Sequence, residues 1–182
     1  MKWHYSKSMP VGKLVKIGVW ENNIFIGCVI FGRGANKEIG SPYGLKQIEI
    51  CELVRVALKS DHKAPVSKII SISLNLLKNQ CKGIRLVVSY ADTSQGHHGG
   101  IYQASNWIYV GAKECDALRV YGRVIHRKSL HAKYGKGGNS VPWLKKNIDP
   151  NAQRFRNGMK HKYIYPLDKS MDVYVKPLAK PY

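Results

Sequence analysis

Acidic side chains are scarce in this sequence. Asp and Glu number 11 against 30 Lys and Arg, leaving a formal charge of +19. Such a surplus attracts polyanions and makes their binding salt-sensitive. Cysteine is scarce as well. Cys28, Cys51, Cys81 and Cys115 stand far apart, with no CxxC pair. That argues against a disulfide scaffold and against a zinc site, and predicts reduced intracellular thiols. No apolar run reaches the roughly 18 residues of a membrane span. The opening MKWHYSKSMP lacks the apolar segment of a secretory signal. No internal repeat is visible. What remains is one globular domain over residues 1–182, long enough to bury a core without staples.

The positive charge is uneven. From Arg119 to Tyr182 the chain has 15 basic and 3 acidic residues, a strongly basic C-terminal third. Aromatic residues and glycine loops are interleaved with that charge, which points to nucleic acid. Arg123, Arg127, Lys128, Lys133 and Lys136 are the candidates to line a path for double-stranded DNA, with Lys145 and Lys146 further out.

Periodicity gives the order of elements. Leu14–Trp20 and Ile24–Phe31 read as a hairpin around Glu21-Asn22-Asn23. Gly32–Gly44 is a Gly- and Pro-containing loop. Its GRGANKEIG run lacks the strict spacing of a dinucleotide fingerprint, and reads as a turn or a groove edge carrying Arg33 and Lys37. Ile48–Leu58 is a strand. Ser67–Gln80 is a helix with a broad apolar stripe, preceded by Pro65, which suits a first turn. Ile84–Tyr90 is the next strand, Ile101–Asn106 a short helix, and Trp107–Gly111 and Leu118–Ile125 two further strands. Ser129–Pro150 reads as a basic loop region and Lys160–Tyr165 as a last strand. The fold class is therefore α/β in the α+β sense, a mixed sheet flanked by helices.

Between Leu86 and Gly111 polar chemistry is unusually dense. Asp92 ends a strand, where a carboxylate can act as a base, bind a metal or orient another group, or simply form an Asx turn. His97 and His98 are adjacent, so a regular element cannot turn both to one side. One is an acid–base candidate, and both can equally be surface or helix-cap residues. Tyr102 is a site candidate or a packing residue. Trp3, Trp107 and Tyr109 can stack on a base or belong to the core.

The order of strand, loop, helix, strand and short helix resembles the GNAT acyltransferase superfamily. That likeness implies an acyl-CoA or related donor along Val54 and Val56, at Ser67 and Lys68 of the helix start, and near Asn106. The loop itself, SDHKAPVSK, departs from the superfamily's basic, glycine-rich phosphate loop, although helix-start amides can still hold an anion.

A more specific resemblance covers nearly the whole chain. FGRGA at Phe31–Ala35, ELVRVAL at Glu52–Leu58, Pro65–Ser67 and SYADTSQGHHGGIYQASNWIYVG at Ser89–Gly111 resemble the Mom-like DNA-modification proteins of bacteriophages. The likeness implies placement of a carbamoylmethyl (acetamido) group on adenine N6 in DNA, protection from restriction, and action in the cytoplasm of the bacterial host. It implies an active region of His4, Tyr5 and Asp92, bordered by one of His97, His98 or Tyr102. His4 would be the base, Asp92 the orienting group and Tyr5 a second donor. The same His4, Tyr5 and Asp92 could hold iron. A homodimer is compatible with the reading. Two other functions remain: an acyl-CoA-dependent N-acetyltransferase, and a noncatalytic DNA-binding protein.

Overall fold

The structure is a computed structural model, describing residues 9–10, 12–34, 36–125 and 127–182, the side chain of Lys128 excepted. The first two apolar runs pair as an antiparallel hairpin, β1 (Leu14–Glu21) with β2 (Ile24–Gly32). Its tip is Asn22 and Asn23, both left-handed at φ 49° and 64°. Asparagine tolerates that region because its short polar side chain bonds locally. β2 pairs antiparallel with β3 (Ile50–Leu58), α1 (Val66–Gln80) follows, and β4 (Leu86–Asp92) lies parallel to β3.

The parallel ladder is short. It sets Ile50 against Leu86, Cys51 against Val87 and Glu52 against Val88. Past it, the Ser89 hydroxyl reaches the Leu53 carbonyl at 3.0 Å. A side chain thus takes over where backbone pairing ends, and β3 and β4 part toward their C-terminal ends.

The chain continues through α2 (Gly100–Gln103), β5 (Ile108–Val120), β6 (Arg123–Ile125), α3 (Arg127–Tyr134), α4 (Val141–Asn147), β7 (Gln153–Pro166) and α5 (Asp172–Val175). The sheet order is β1-β2-β3-β4-β7-β5-β6. This is the mixed α/β sheet flanked by helices that the periodicity predicts.

The fold clusters into two compact units. One holds the described residues through Ala91, with His98–Gly111 and His161–Tyr182; the other holds Asp92–His97 and Ala112–Lys160. In the first, successive strand residues face opposite cores, as a pleat of period two requires. Cys51, Val87 and Tyr163 join α1's Ile70, Leu74 and Leu77 in one core. Their neighbours Ile50, Leu86, Val88 and Ile164 join Tyr43, Met171 and Val175 in another. With both faces covered, β4 is apolar almost throughout. The second unit packs Leu118, Val120, Leu130, Leu144 and Ala152.

Some expectations are corrected. Trp107–Gly111 and Leu118–Ile125 are not two strands. β5 runs unbroken for 13 residues, and a turn at Tyr121-Gly122 starts β6. The polar stretch between them is held by charge pairs to β7: Arg156 to Glu114 at 3.0 Å and Arg154 to Asp116 at 3.9 Å. Ser129–Pro150 is not loop but mostly helix. Ser140 caps α4 by accepting from the Trp143 N–H, with proline in the first turn. All four cysteines are free, as expected. Among the described residues no helix is long and apolar enough to cross a membrane.

Arg85 anchors the C-terminal segment. Its guanidinium bonds Asp168 at 3.1 Å, Glu49 at 3.4 Å and the Ser170 hydroxyl at 3.0 Å. The Ser170 hydroxyl and amide, and then Arg85, lower Asp168 from an ordinary 3.8 to about 2. A carboxyl depressed in the folded state stabilises above its unfolded pKa and loses that contribution as pH falls through the folded value. Stability is therefore expected to drop as pH falls from about 3.8 toward about 2. Asp168→Asn should melt lower than wild type near pH 7, the gap closing in strong acid. A gap unchanged by pH would show that the charge is not what matters.

Candidate active site

Asp92 sits where β4 ends. Its Oδ1 accepts from the Ser94 N–H at 3.0 Å and the Ser94 hydroxyl at 2.6 Å, which is the Asx turn. Its Oδ2 lies 3.7 Å from the Lys160 ammonium, and both side chains remain partly exposed. The turn is fixed from β7 as well: Thr93 Oγ1 accepts from the Met159 N–H at 2.8 Å. Gly158 permits that approach, because a Cβ there would lie 2.6 Å from Thr93 Oγ1. Asp92 is thus a positioned carboxylate with one oxygen committed to the turn and the other facing a cation. His97 is exposed and donates its amide to the Asp92 carbonyl.

Tyr102, in the first unit, belongs to an aromatic cluster that reaches the His98 backbone. The Tyr182 hydroxyl donates to the His98 carbonyl. Tyr182 packs on Tyr109 at 5.1 Å, His161 at 5.4 Å and Tyr163 at 6.4 Å. Tyr102 stacks on Tyr163 at 4.9 Å. Its hydroxyl lies 2.8 Å from Ser89 Oγ. Ser89 has one hydroxyl proton. With that proton given to Leu53, Ser89 accepts from Tyr102. Tyr102 is therefore buried, with its hydroxyl directed into the gap between β3 and β4. Gly99 must be glycine here: its φ is +75°, and a Cβ would lie 2.2 Å from the Tyr163 hydroxyl.

The sequence reading missed His161, Tyr163 and Tyr182. Tyr109 Oη and His161 Nδ1 lie 3.1 Å apart, a phenol–imidazole pair able to pass a proton. Burial pushes the Tyr163 phenol up to about 12, so it stays protonated. The available signal was HKYIY, in which His161, Tyr163 and Tyr165 alternate and so share one face of a strand. Trp107 is core, only 6% exposed, and so is not free to stack on a base.

On the donor side, Val54 and Val56 lie half-buried on β3, and Ser67 and Lys68 occupy the first turn of α1. Asn106 is exposed and left-handed at φ 61°, just after α2. The loop before α1 already holds an anion. The Glu21 carboxylate accepts from the Lys63 N–H at 3.0 Å and the Ala64 N–H at 2.7 Å. Those amides, Lys63 first, lower the Glu21 pKa. A donor phosphate would have to displace Glu21 there, so the loop as folded does not fit a pyrophosphate.

His4 and Tyr5, with Trp3, lie outside the described residues, so their convergence with Asp92 does too. Among the described residues no three His, Cys, Asp or Glu side chains gather to hold a metal. Of the supposed iron ligands only Asp92 is described, and its free oxygen faces an ammonium, which does not fit a cation.

The basic candidates fall into both units. Arg33 and Lys37 are exposed in the first. Arg33 lines a cleft of about 200 Å³ with Lys13 and Gln47, floored by Ile50, Cys51 and Leu77. In the second unit Arg123, Lys133, Lys136, Lys145 and Lys146 are exposed and Arg127 is half-buried.

The described residues form a mixed α/β sheet, with a positioned carboxylate at Asp92 in the second unit and a Tyr109–His161 pair in the first. The chain belongs to the Mom protein family, whose model matches residues 1–182. It is also similar to methylcarbamoylase mom of Escherichia phage Mu, 26% identical over 147 residues, a match covering 79% of this chain and 61% of that relative.

Proposed function

We propose that this chain is a phage DNA-modification enzyme that places a carbamoylmethyl group on the exocyclic N6 of adenine in double-stranded DNA, protecting that DNA from restriction inside the bacterial host. The observation that carries the reading is the family match across residues 1–182. A relative named methylcarbamoylase supports transfer of a small amide-bearing group. The charge of +19 suits a DNA substrate.

The chemistry states what the site must supply. The N6 lone pair is delocalised into the purine ring, so the amine is a weak nucleophile. The new N–C bond forms from that lone pair, the donor's leaving group departs with its bonding electrons, and one N6 proton passes to a base. Positioning and proton removal carry the acceleration. Because N6 takes part in base pairing, the adenine must leave the stack.

Asp92 is assigned as the orienting carboxylate. Its turn fixes one oxygen and leaves the other available. His4 as base and Tyr5 as second donor enter on the resemblance alone. His98 and Tyr102 are assigned to the same chemistry on the resemblance, Tyr102 being buried against Ser89. Val54, Val56, Ser67, Lys68 and Asn106 are assigned to the donor, bound without a pyrophosphate at the Lys63 and Ala64 amides that Glu21 occupies. Arg33, Lys37, Arg123, Arg127, Lys128, Lys133 and Lys136 are assigned to DNA phosphates.

DNA from bacteria expressing the chain should resist endonucleases whose sites contain adenine. Complete digestion, with the protein soluble and folded, would contradict the proposal.

A further inference from the structure

Left-handed backbone is strained for residues other than glycine. Among the described residues it occurs at Asn22, Asn23, Asn106 and Tyr121. Asparagine tolerates that conformation; tyrosine has no local reason to adopt it. Tyr121, at φ 49°, and Gly122, at φ 71°, make the two-residue turn that sets Val120 opposite Arg123. Asn-Gly is the favoured pair in such a turn. Burial does not offset the strain, because Tyr121 is 68% exposed.

The surrounding residues hold it there instead. The Tyr121 N–H donates to Asp149 Oδ2 at 2.6 Å, and its hydroxyl donates to the Ile148 carbonyl. Asp149 is only 5% exposed, and its other oxygen accepts from the Asn151 N–H at 2.9 Å. The phenol is clamped at its hydroxyl edge while most of the ring stays open to solvent.

Cations outnumber acids in the second unit. The second unit's acids are Asp92, Glu114, Asp116 and Asp149. The first three pair with Lys160, Arg156 and Arg154, and Asp149 is taken by backbone amides. Exposed Arg123 and Lys133 pair with none of these acids. Lys133 lies 5.0 Å from the Tyr134 ring centroid. The contact with Tyr134 holds the Lys133 ammonium above its ordinary pKa.

We propose that Tyr121 is a stacking platform for an unpaired base of DNA, with Arg123 and Lys133 holding the neighbouring phosphates. The inference rests on the reading that the chain acts on DNA. A rigid aromatic face among free cations suits a polymer whose every unit offers a π-face and an anion.

Tyr121→Asn tests it without threatening the fold, because it removes the ring and relieves the strained turn. The full chain and this variant are titrated against an oligonucleotide duplex carrying one unpaired 2-aminopurine, at several salt concentrations. The expected result is an unchanged or higher melting temperature, binding weakened about 5- to 150-fold, and loss of the 2-aminopurine quenching seen with wild type. The salt slope should hold, because the ring neutralises no phosphate. Tyr121→Trp should restore quenching and affinity. Wild-type binding that Tyr121→Asn leaves unchanged would overturn the platform alone. A wild-type chain that binds no DNA would overturn the DNA reading and the platform with it.

Discussion

Asp92→Asn is expected to lower adenine modification by about 10²- to 10⁴-fold, the usual worth of the proton transfer it is assigned to orient. Asparagine keeps the Oδ1 that accepts from the Ser94 amide and hydroxyl, so the turn should survive. What disappears is the negative charge facing Lys160 at 3.7 Å. A partly exposed pair of that kind contributes only about 0–1 kcal/mol to stability. Activity and stability should therefore separate: modification lost, melting temperature nearly unchanged. The check is the modified adenine fraction beside a thermal melt of the same protein. Full modification by Asp92→Asn would leave Asp92 as a turn former and nothing more.

Gly99→Ala is expected to be strongly destabilising. Left-handed backbone costs an L-residue about 1–2 kcal/mol. The added carbon would also lie within 2.7 Å of three Tyr163 atoms. Tyr163 cannot retreat, since it is fully buried and stacked on Tyr102. Overpacking of that kind costs about 1–3 kcal/mol more. Denaturant unfolding should show a loss of about 2–5 kcal/mol for the two effects together. Gly100→Ala is the control, because nothing lies within 4 Å of its would-be Cβ. Equal stability for the two variants would mean that the loop is not packed on Tyr163.

Local pattern carries much of this fold. The Asn22-Asn23 turn, the Pro65 start of α1 and the broad stripe of Ile69, Ile70, Leu74 and Leu77 are visible in sequence because short-range sterics and helical period decide them, although Ile72 and Leu76, read on the same stripe, turn to solvent. Placement of β7 between β4 and β5 is not visible, because that pairing joins segments dozens of positions apart. The charged middle of β5 looks like a loop until Arg154 and Arg156 supply partners from β7. α4 was legible in principle, since Ser140 followed by Val141-Pro142 is a helix-start pattern. The Asp92 turn and the crowded Ser89–Gly111 stretch are readable from residue type. The pairing of Tyr109 with His161 is not, because it joins strands made neighbours only by the sheet order. Glu21 in the donor loop is hidden for the same reason: its acceptors' partners, Lys63 and Ala64, lie more than 40 positions away.

The central claim is that adenine N6 in DNA receives a carbamoylmethyl group, and the direct measurement is mass analysis of nucleosides from DNA of bacteria expressing the chain. The expected spectrum contains deoxyadenosine heavier by one carbamoylmethyl group, with fragmentation placing it on N6, and that species is absent when Asp92→Asn is expressed instead. Deoxyadenosine of ordinary mass throughout, from cells in which the wild-type protein is soluble and folded, would contradict it.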